Sequence, residues 1–270
     1  MVLQVTAIEY MGRAESGRSH PMLCRCQAAD GCEFDVYIKY AGFHEQLSFE
    51  HLTGELIGNL LARDLALPAA EPCIVRLDPD FIDTLPEEAF DTDLLGEMTA
   101  TGAHAFGSVA VSPVRRWSEN DLLHTAQRFD ASMLYLFDTI SENSDRGIRN
   151  PNLLVSGGRF HIIDFGHCFQ RCHSKGDEEK GLPWQNGAIL NHFEGDLMHV
   201  LLGQLRPMQS EFIDTFTLAF QGVTDDTLES YISSVPKEWG EDTSCRIMDY
   251  LLLARNNVES FGARVREVCR

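Results

Sequence analysis

Residues 137–167 read FDTISENSDRGIRNPNLLVSGGRFHIIDFGH, and this stretch decides the fold. Its first half is a polar loop, with Gly and Pro, that carries Asp145, Arg146 and Asn150. Its second half is two short apolar runs, Leu153-Leu154-Val155 and Phe160-His161-Ile162-Ile163, around Ser156-Gly157-Gly158-Arg159. Such runs predict a β-hairpin, with Asp164 just past the end of the second strand. An acid, an amide five residues on and a second acid after a hairpin can bring three oxygen donors together. Hard cations such as Mg2+ require oxygen ligands. Phosphoryl transfer needs that metal and a carboxylate to orient the attacking hydroxyl. For any one of these residues the plainer reading is turn chemistry, because Asp and Asn favour loops. The ordered set points to a site.

The 270-residue chain is long enough for one large domain or two lobes. Apolar residues make up 44% and charged residues 23%, which predicts an ordinary globular core. The net charge of -19 argues against nucleic acid or an anionic membrane surface as partner, since both reward basic patches. Arg115-Arg116 is the one obvious basic seed, and a solvated pair is its plainer reading. No apolar run is long enough for a membrane span, and the start Met1-Val2-Leu3-Gln4-Val5 lacks signal-peptide character. The expectation is a cytoplasmic protein whose eight cysteines are reduced thiols.

From the N-terminus the pattern is β-rich. Leu3–Tyr10 alternates apolar and polar, Met22–Gln27 and Phe34–Tyr40 read as further strands, and Asp30-Gly31 marks a turn. The loop between the first two strands holds Gly17, Arg18 and Ser19. It is not a GxGxxG, yet its backbone N–H groups could lie over phosphates. Lys39, near the end of the third strand, can reach nucleotide phosphates as a point charge. A helix follows from Ser48 to Leu67-Pro68, and on it Glu55, with Glu50 as competitor, could hold that lysine by an ion pair. Cys73–Leu77 and Phe106–Val111 read as strands, and the acidic stretch Asp78–Glu97 as short helices. The boundary falls near Pro113, giving an N-terminal lobe of residues 1–112 and a C-terminal lobe of residues 113–270. Ser118 to Asp121 can cap a helix, and the apolar run Ala131–Ile140 predicts a buried helix leading into the Asp145 loop. Beyond Asp164, Leu197–Leu205, Phe212–Phe220, Leu228–Ile232 and Ile247–Val268 read as helices. Pro207 and Pro236 punctuate them, and Gly222 closes the second.

Two motifs carry a resemblance to the HipA-like kinases and, more distantly, to type II phosphatidylinositol 4-kinases and protein kinases. Asn143-Ser144-Asp145-Arg146-Gly147-Ile148-Arg149-Asn150 is similar to the N-x-D-R loop of those families, with an asparagine five residues after the aspartate. Ile162-Ile163-Asp164-Phe165-Gly166-His167 resembles the DFG-type metal motif. The resemblance covers residues 1 to about 240 and implies an α+β, two-lobed, protein-kinase-like fold with a β-rich N-lobe and a mainly helical C-lobe. By it, Asp145 accepts the proton of the substrate hydroxyl or orients that hydroxyl, and Asn150 and Asp164 bind Mg2+. Lys39 contacts the ATP phosphates, held by Glu55, with Gly17, Arg18 and Ser19 as phosphate-loop candidates. Arg146 braces the loop. Asn152 rivals Asn150, because the strand Leu153-Leu154-Val155 follows it directly; spacing from Asp145 favours Asn150. Val109–Val111 is the candidate adenine-contacting segment.

The implied activity is transfer of the ATP γ-phosphate to a hydroxyl, with a protein Ser/Thr side chain ahead of a small molecule or lipid. The implied partners are a protein substrate and an antitoxin-like product of a neighbouring gene. A kinase-fold module that binds nucleotide or a partner without turnover is the alternative, and nucleotidyl transfer on the same scaffold is a third reading. Two cysteine and histidine groups, Cys24, Cys26 and Cys32, and His167, Cys168, Cys172 and His173, lack paired CxxC spacing, so thiols are favoured over zinc. No G-x-S-x-G elbow supports a serine hydrolase.

Overall fold

The computed structural model describes residues 2–14, 21–41, 47–86, 104–118, 120–174, 181–185 and 198–270. Alternating side chains put one face of each N-terminal strand inward. Strands β1 (Leu3–Arg13), β2 (Met22–Ala28), β3 (Glu33–Lys39), β4 (Pro72–Arg76) and β5 (His104–Val109) join in the order β1-β2-β3-β5-β4 and close into a barrel. The closing pair is β1 with β4, which is parallel; the other pairs are antiparallel. The β-rich expectation holds, and closure into a barrel refines it.

Val5, Ala7, Met22, Cys24, Cys26, Val36, Ile38, Cys73 and Val75 fill the interior. The filling is tight at Gly107, where an added Cβ would lie 2.6 Å from Cys73 Sγ and from Val75. Only glycine fits this crowded point. Because Val36 and Ile38 point in, Lys39 emerges on the outside of the barrel.

Against that outer face lies α1 (Phe49–Asp64), which is capped by Ser48. The Ser48 hydroxyl accepts from His51 N–H, and the His51 ring accepts from Ser48 N–H. This reciprocal cap satisfies two backbone donors at the helix start. Leu52 and Leu56 pack with Ile74 and Phe106 of the barrel and with Trp239. Ile57 and Leu61 belong to the larger C-terminal core, so α1 bridges the two. It ends before Pro68, as the proline predicts.

A short α2 (Pro79–Ile82) occupies the start of the acidic stretch. The section from 87 to 97, expected to continue as short helices, lies outside the described residues. After β5, β6 (Arg115–Arg116) pairs with β7 (Leu153–Ser156), and β7 with β8 (Arg159–Ile162), in a three-stranded sheet. Gly157 and Gly158 turn the expected hairpin at φ +55° and +80°, the left-handed pair that a tight hairpin needs. Ser118–Asp121 starts no helix. The Asp121 carboxylate instead accepts from Ser118 N–H and Arg115, and the buried helix, α3, runs Arg128–Ile140.

Among the described residues, the α-helices that follow are α4 (Leu202–Leu205), α5 (Ser210–Gln221), α6 (Asp225–Ser234), α7 (Glu241–Asn256) and α8 (Val258–Val268). The single helix expected over 247–268 is thus two, broken at Asn257; of the one expected over 197–205, residue 197 lies outside the described residues and 198–205 is helical only at Leu202–Leu205. Gly222 does follow α5, in a right-handed rather than left-handed conformation. The C-terminal helices reach back to the barrel, where Trp239 Nε1–H donates to the His104 carbonyl at 3.1 Å and Glu238 pairs with His104.

Candidate active site

Lys39, Glu55 and Asp164 come from β3, α1 and the segment after β8, and they meet in one ion cluster. Lys39 Nζ donates to Glu55 Oε2 at 2.8 Å and to Asp164 Oδ1 at 2.9 Å. Glu55 is 2% exposed, and its other oxygen accepts the Phe165 backbone N–H at 2.9 Å. Glu50 lies one turn earlier and points elsewhere, toward Ser174 N–H at 2.6 Å and Arg246 at 3.4 Å. Burial works against the Lys39 ammonium, and Asp164 and Glu55 outweigh it, so its pKa stands above the ordinary lysine value. Burial also pushes the Asp164 carboxyl up, and Lys39 reverses this and holds it below the usual carboxylate range. At Glu55 burial prevails: it raises the carboxyl, Lys39 pulls down, and the Asp164 charge adds to the rise.

The segment carrying Asp164 is packed tightly on α1. A Cβ added to Gly58 would lie 3.1 Å from Phe165 Cβ, and one on Gly54 3.0 Å from the Cys168 carbonyl. Asp164 itself has φ +64°, a left-handed conformation that aspartate tolerates. Glycines one helical turn apart open a shallow face on α1, and residues 165–168 settle into it.

The second cluster is the Asp145 loop. Asn150 Nδ2 donates to Asp145 Oδ2 at 2.9 Å, and Asn152 Nδ2 donates to the same oxygen at 3.1 Å. Both rival amides therefore sit on the same carboxylate. Asn152 also donates to the Asp145 carbonyl, and its own carbonyl accepts Ile163 N–H at 3.3 Å, which sets it beside the residue preceding Asp164.

Beneath this loop is a buried hub that sequence reading did not single out. Asp138 of α3 is fully buried and accepts from Asn143 Nδ2 at 2.9 Å, Arg146 Nε at 2.5 Å and His199 Nε2 at 3.0 Å. His199 Nδ1 accepts from Leu201 N–H, so the ring proton is on Nε2 and the imidazole donates to Asp138. Burial raises the Asp138 carboxyl, and Arg146 and His199 outweigh it and hold it below the usual range. Arg146 also donates to the Asn152 carbonyl at 2.6 Å and the Ile163 carbonyl at 3.2 Å, joining the Asp145 loop to the Asp164 segment. This is the bracing role expected of it. An acid inside the apolar run Ala131–Ile140 was the available signal, since a buried charge needs a partner. His199 lies too far along the chain for any pattern to connect them.

Gly17, Arg18 and Ser19 lie outside the described residues. Val109 ends β5, and its N–H donates to the Glu71 carbonyl. The cysteines are free thiols, most of them buried; burial pushes Cys24 and Cys26 up to about 12, where a thiol is inert. Among the described residues no three His, Cys, Asp or Glu side chains group as a metal site. What the site offers a cation is oxygen from Asp164 and the amides, a set that suits Mg2+, which fills its shell with water and phosphate oxygens.

A model of the HipA-like kinases matches residues 7–181, more than half of the chain. The chain belongs to the HipA-like kinase family. Among solved structures, it is similar over 99% of both chains to the Helicobacter pylori proinflammatory kinase CtkA, with a TM-score of 0.60 and 11% identity. At that identity the likeness bears on fold, and the fold is that of a kinase. Shewanella oneidensis MR-1 HipA, solved with HipB and its operator DNA, aligns over 96% of this chain and 65% of its own at a TM-score of 0.45 and 11% identity. The Golgi casein kinase with Mn/ADP bound aligns over 98% and 74%, at a TM-score of 0.45 and 12% identity. No curated protein matches the sequence. Among the described residues, no helix of this HipA-like kinase is long and apolar enough to cross a membrane.

Proposed function

We propose that this HipA-like kinase transfers the ATP γ-phosphate, with Mg2+, to a hydroxyl, foremost a protein Ser or Thr side chain. The observation that carries the reading is the Lys39 ammonium held between Glu55 and Asp164. A buried, fully charged lysine fixed from a strand by a helical acid is placed for phosphate oxygens, and the family membership supplies the reaction class. Residues 1–112 form the lobe that holds the nucleotide phosphates, with Gly17, Arg18 and Ser19 as further contacts. Residues 113–270 form the lobe that brings Asp145 and the metal residues.

In this reading Asp145 orients the acceptor hydroxyl and takes its proton. Its carboxylate is held for that task by the amides of Asn150 and Asn152. Asp164 and Asn150, or its rival Asn152, would hold the metal, and neither amide Oδ1 has a protein partner among the described residues. Bound there, Mg2+ would neutralise charge on the phosphates. Glu55 keeps Lys39 in place, and Arg146 keeps the two loops in register. Catalysis would consist of positioning and charge neutralisation. The family membership also supports a neighbouring-gene partner of antitoxin type, and a cytoplasmic place of action fits the reduced thiols.

The test separates binding from turnover. Asp164→Ala should lose Mg2+-dependent ATP binding in a thermal-shift titration. Asp145→Ala should bind ATP as the parent does and lose at least about a hundredfold of turnover. Full activity in Asp145→Ala would overturn its role. The same two assays on Asn150→Ala and Asn152→Ala decide between the amides, since the metal ligand is the one whose loss weakens the Mg2+ dependence.

A further inference from the structure

His199 reaches the Asp145 loop by two separate routes. The first is backbone. His199 pairs antiparallel with Gly147, and Val200 N–H donates to the Arg146 carbonyl at 3.0 Å. A segment far along the chain thereby lies against the loop. The second route is through side chains. His199 Nε2–H donates to Asp138 Oδ2 at 3.0 Å, and the other oxygen of Asp138 accepts from Asn143 Nδ2 at 2.9 Å. Asn143 turns its own Oδ1 to the Asp145 backbone N–H at 3.2 Å. Three hydrogen bonds therefore run from the imidazole to the main chain of Asp145. Asp138, Asn143 and His199 are buried, so water cannot stand in for a lost partner without cost.

The plainer account of His199 is that it satisfies a buried carboxylate. Arg146 and Asn143 already do so, and Arg146 has a nitrogen to spare. Nε and Nη2 form one edge of a guanidinium and can close on a carboxylate together. Here Nε donates to Asp138 Oδ2 at 2.5 Å, whereas Nη2 is buried with no acceptor among the described residues. His199 is thus a second donor on an oxygen that Arg146 could hold alone. Its presence calls for a reason beyond pairing a charge.

We propose that His199 is a positioning residue for phosphoryl transfer, an inference that rests on the kinase reading above. By occupying Asp138 Oδ2 it restricts Arg146 to one bond there. That leaves Arg146 Nη1 on the Asn152 carbonyl at 2.6 Å and the Ile163 carbonyl at 3.2 Å. Asn152 holds the Asp145 carboxylate, and Ile163 precedes Asp164. Without the imidazole, Arg146 would turn both edge nitrogens onto Asp138 and draw Nη1 off those carbonyls. Asp138 would shift with it, and Asn143 would carry the shift to the Asp145 main chain. His199 touches neither nucleotide nor acceptor in this account; it sets where Asp145 stands.

The test uses the full chain and two substitutions. His199→Phe keeps a ring edge-on to Tyr135, where the centroids are 5.2 Å apart, and removes the donor. His199→Gln keeps an N–H near the place of Nε2. Amide exchange is first read residue by residue with no nucleotide present. In His199→Phe the amides of Asp145 and Val200 should exchange about tenfold faster. Phe165 N–H, held by Glu55 in the other cluster, should keep the parent rate. In a kinase assay kcat should fall about tenfold or more with KM for ATP unchanged, and His199→Gln should regain most of the loss. If His199→Phe does not fold, Asn143→Ala cuts the same route one bond later and should give the same pattern. Phe165 exchange that speeds up as much as that of Asp145 would mean a structural role alone and would overturn the proposal. So would unchanged exchange at Asp145, unchanged kcat, a raised KM for ATP at full kcat, or a His199→Gln no better than His199→Phe. If loop exchange responds as expected and the parent chain transfers no phosphate, the kinase reading fails and the link from His199 to the loop stands.

Discussion

Lys39 is the residue on which the site turns. It is a single cation between two carboxylates, and its side chain is 11% exposed. Removing one partner of a buried pair leaves the other charge uncompensated. Lys39→Met should therefore cost roughly 3–5 kcal/mol of stability as well as activity. Adding Glu55→Gln should recover some of the stability and none of the turnover, as chemical denaturation and a kinase assay would show. The histidines at the start of α1 and packed against it make a separate prediction. His51 and His173 have ring centroids 4.9 Å apart, and His51 and His167 5.8 Å. Burial, then the neighbouring His51, pushes His173 down from 6.5 to about 4. A depressed imidazole favours the neutral form in the fold. Its contribution is present above about pH 6.5 and is lost as pH falls toward 4. The melting temperature should fall across that window, and His173→Phe should flatten the fall; an unchanged slope would mean that another group sets it.

At this scale the sequence was legible where residue types are ordered along the chain. Asp145 and Asn150 could be paired because one loop holds both, and Asp164 could be placed past the end of a hairpin. Lys39 and Glu55 could be nominated from a strand end and a helix. Geometry alone places Lys39 with Glu55 rather than Glu50, and geometry alone reveals Asp138 with Arg146 and His199, because those contacts span elements.

Among the elements, α1 links the barrel, the Asp164 segment and the C-terminal helices. Its glycines are unfavourable in a helix by about 1 kcal/mol each relative to alanine. They are explained by what lies against them. Gly58→Val would force branched atoms into the space held by Phe165 and Cys168, where even a Cβ is 3.1 Å from Phe165. The expected cost is roughly 1–3 kcal/mol of stability from overpacking. Activity should fall further than stability explains, because Asp164 moves with Phe165; parallel melting and turnover measurements would show it. Periodicity and Pro68 made α1 readable, as alternation and the Gly-Gly turn did the strands and the hairpin. The break at Asn257 was not readable, because the apolar pattern runs on through it. Nor was the closed barrel, since the parallel pairing of β1 with β4 is a long-range choice that no local pattern encodes.

The whole molecule is a small barrel and a helical body held together by α1 and by the return of Trp239 to the barrel. Its fold and family are those of a kinase. The central claim is that ATP gives up its terminal phosphate here. The direct measurement is incubation of the purified chain with Mg2+ and either γ-labelled or α-labelled ATP, alone and with a protein mixture, beside Asp145→Ala. Label should arrive from the γ position alone, on the chain itself or on an acceptor hydroxyl, and none should arrive with Asp145→Ala. Label arriving from the α position, or no transfer at all from a chain that binds ATP, would contradict the claim.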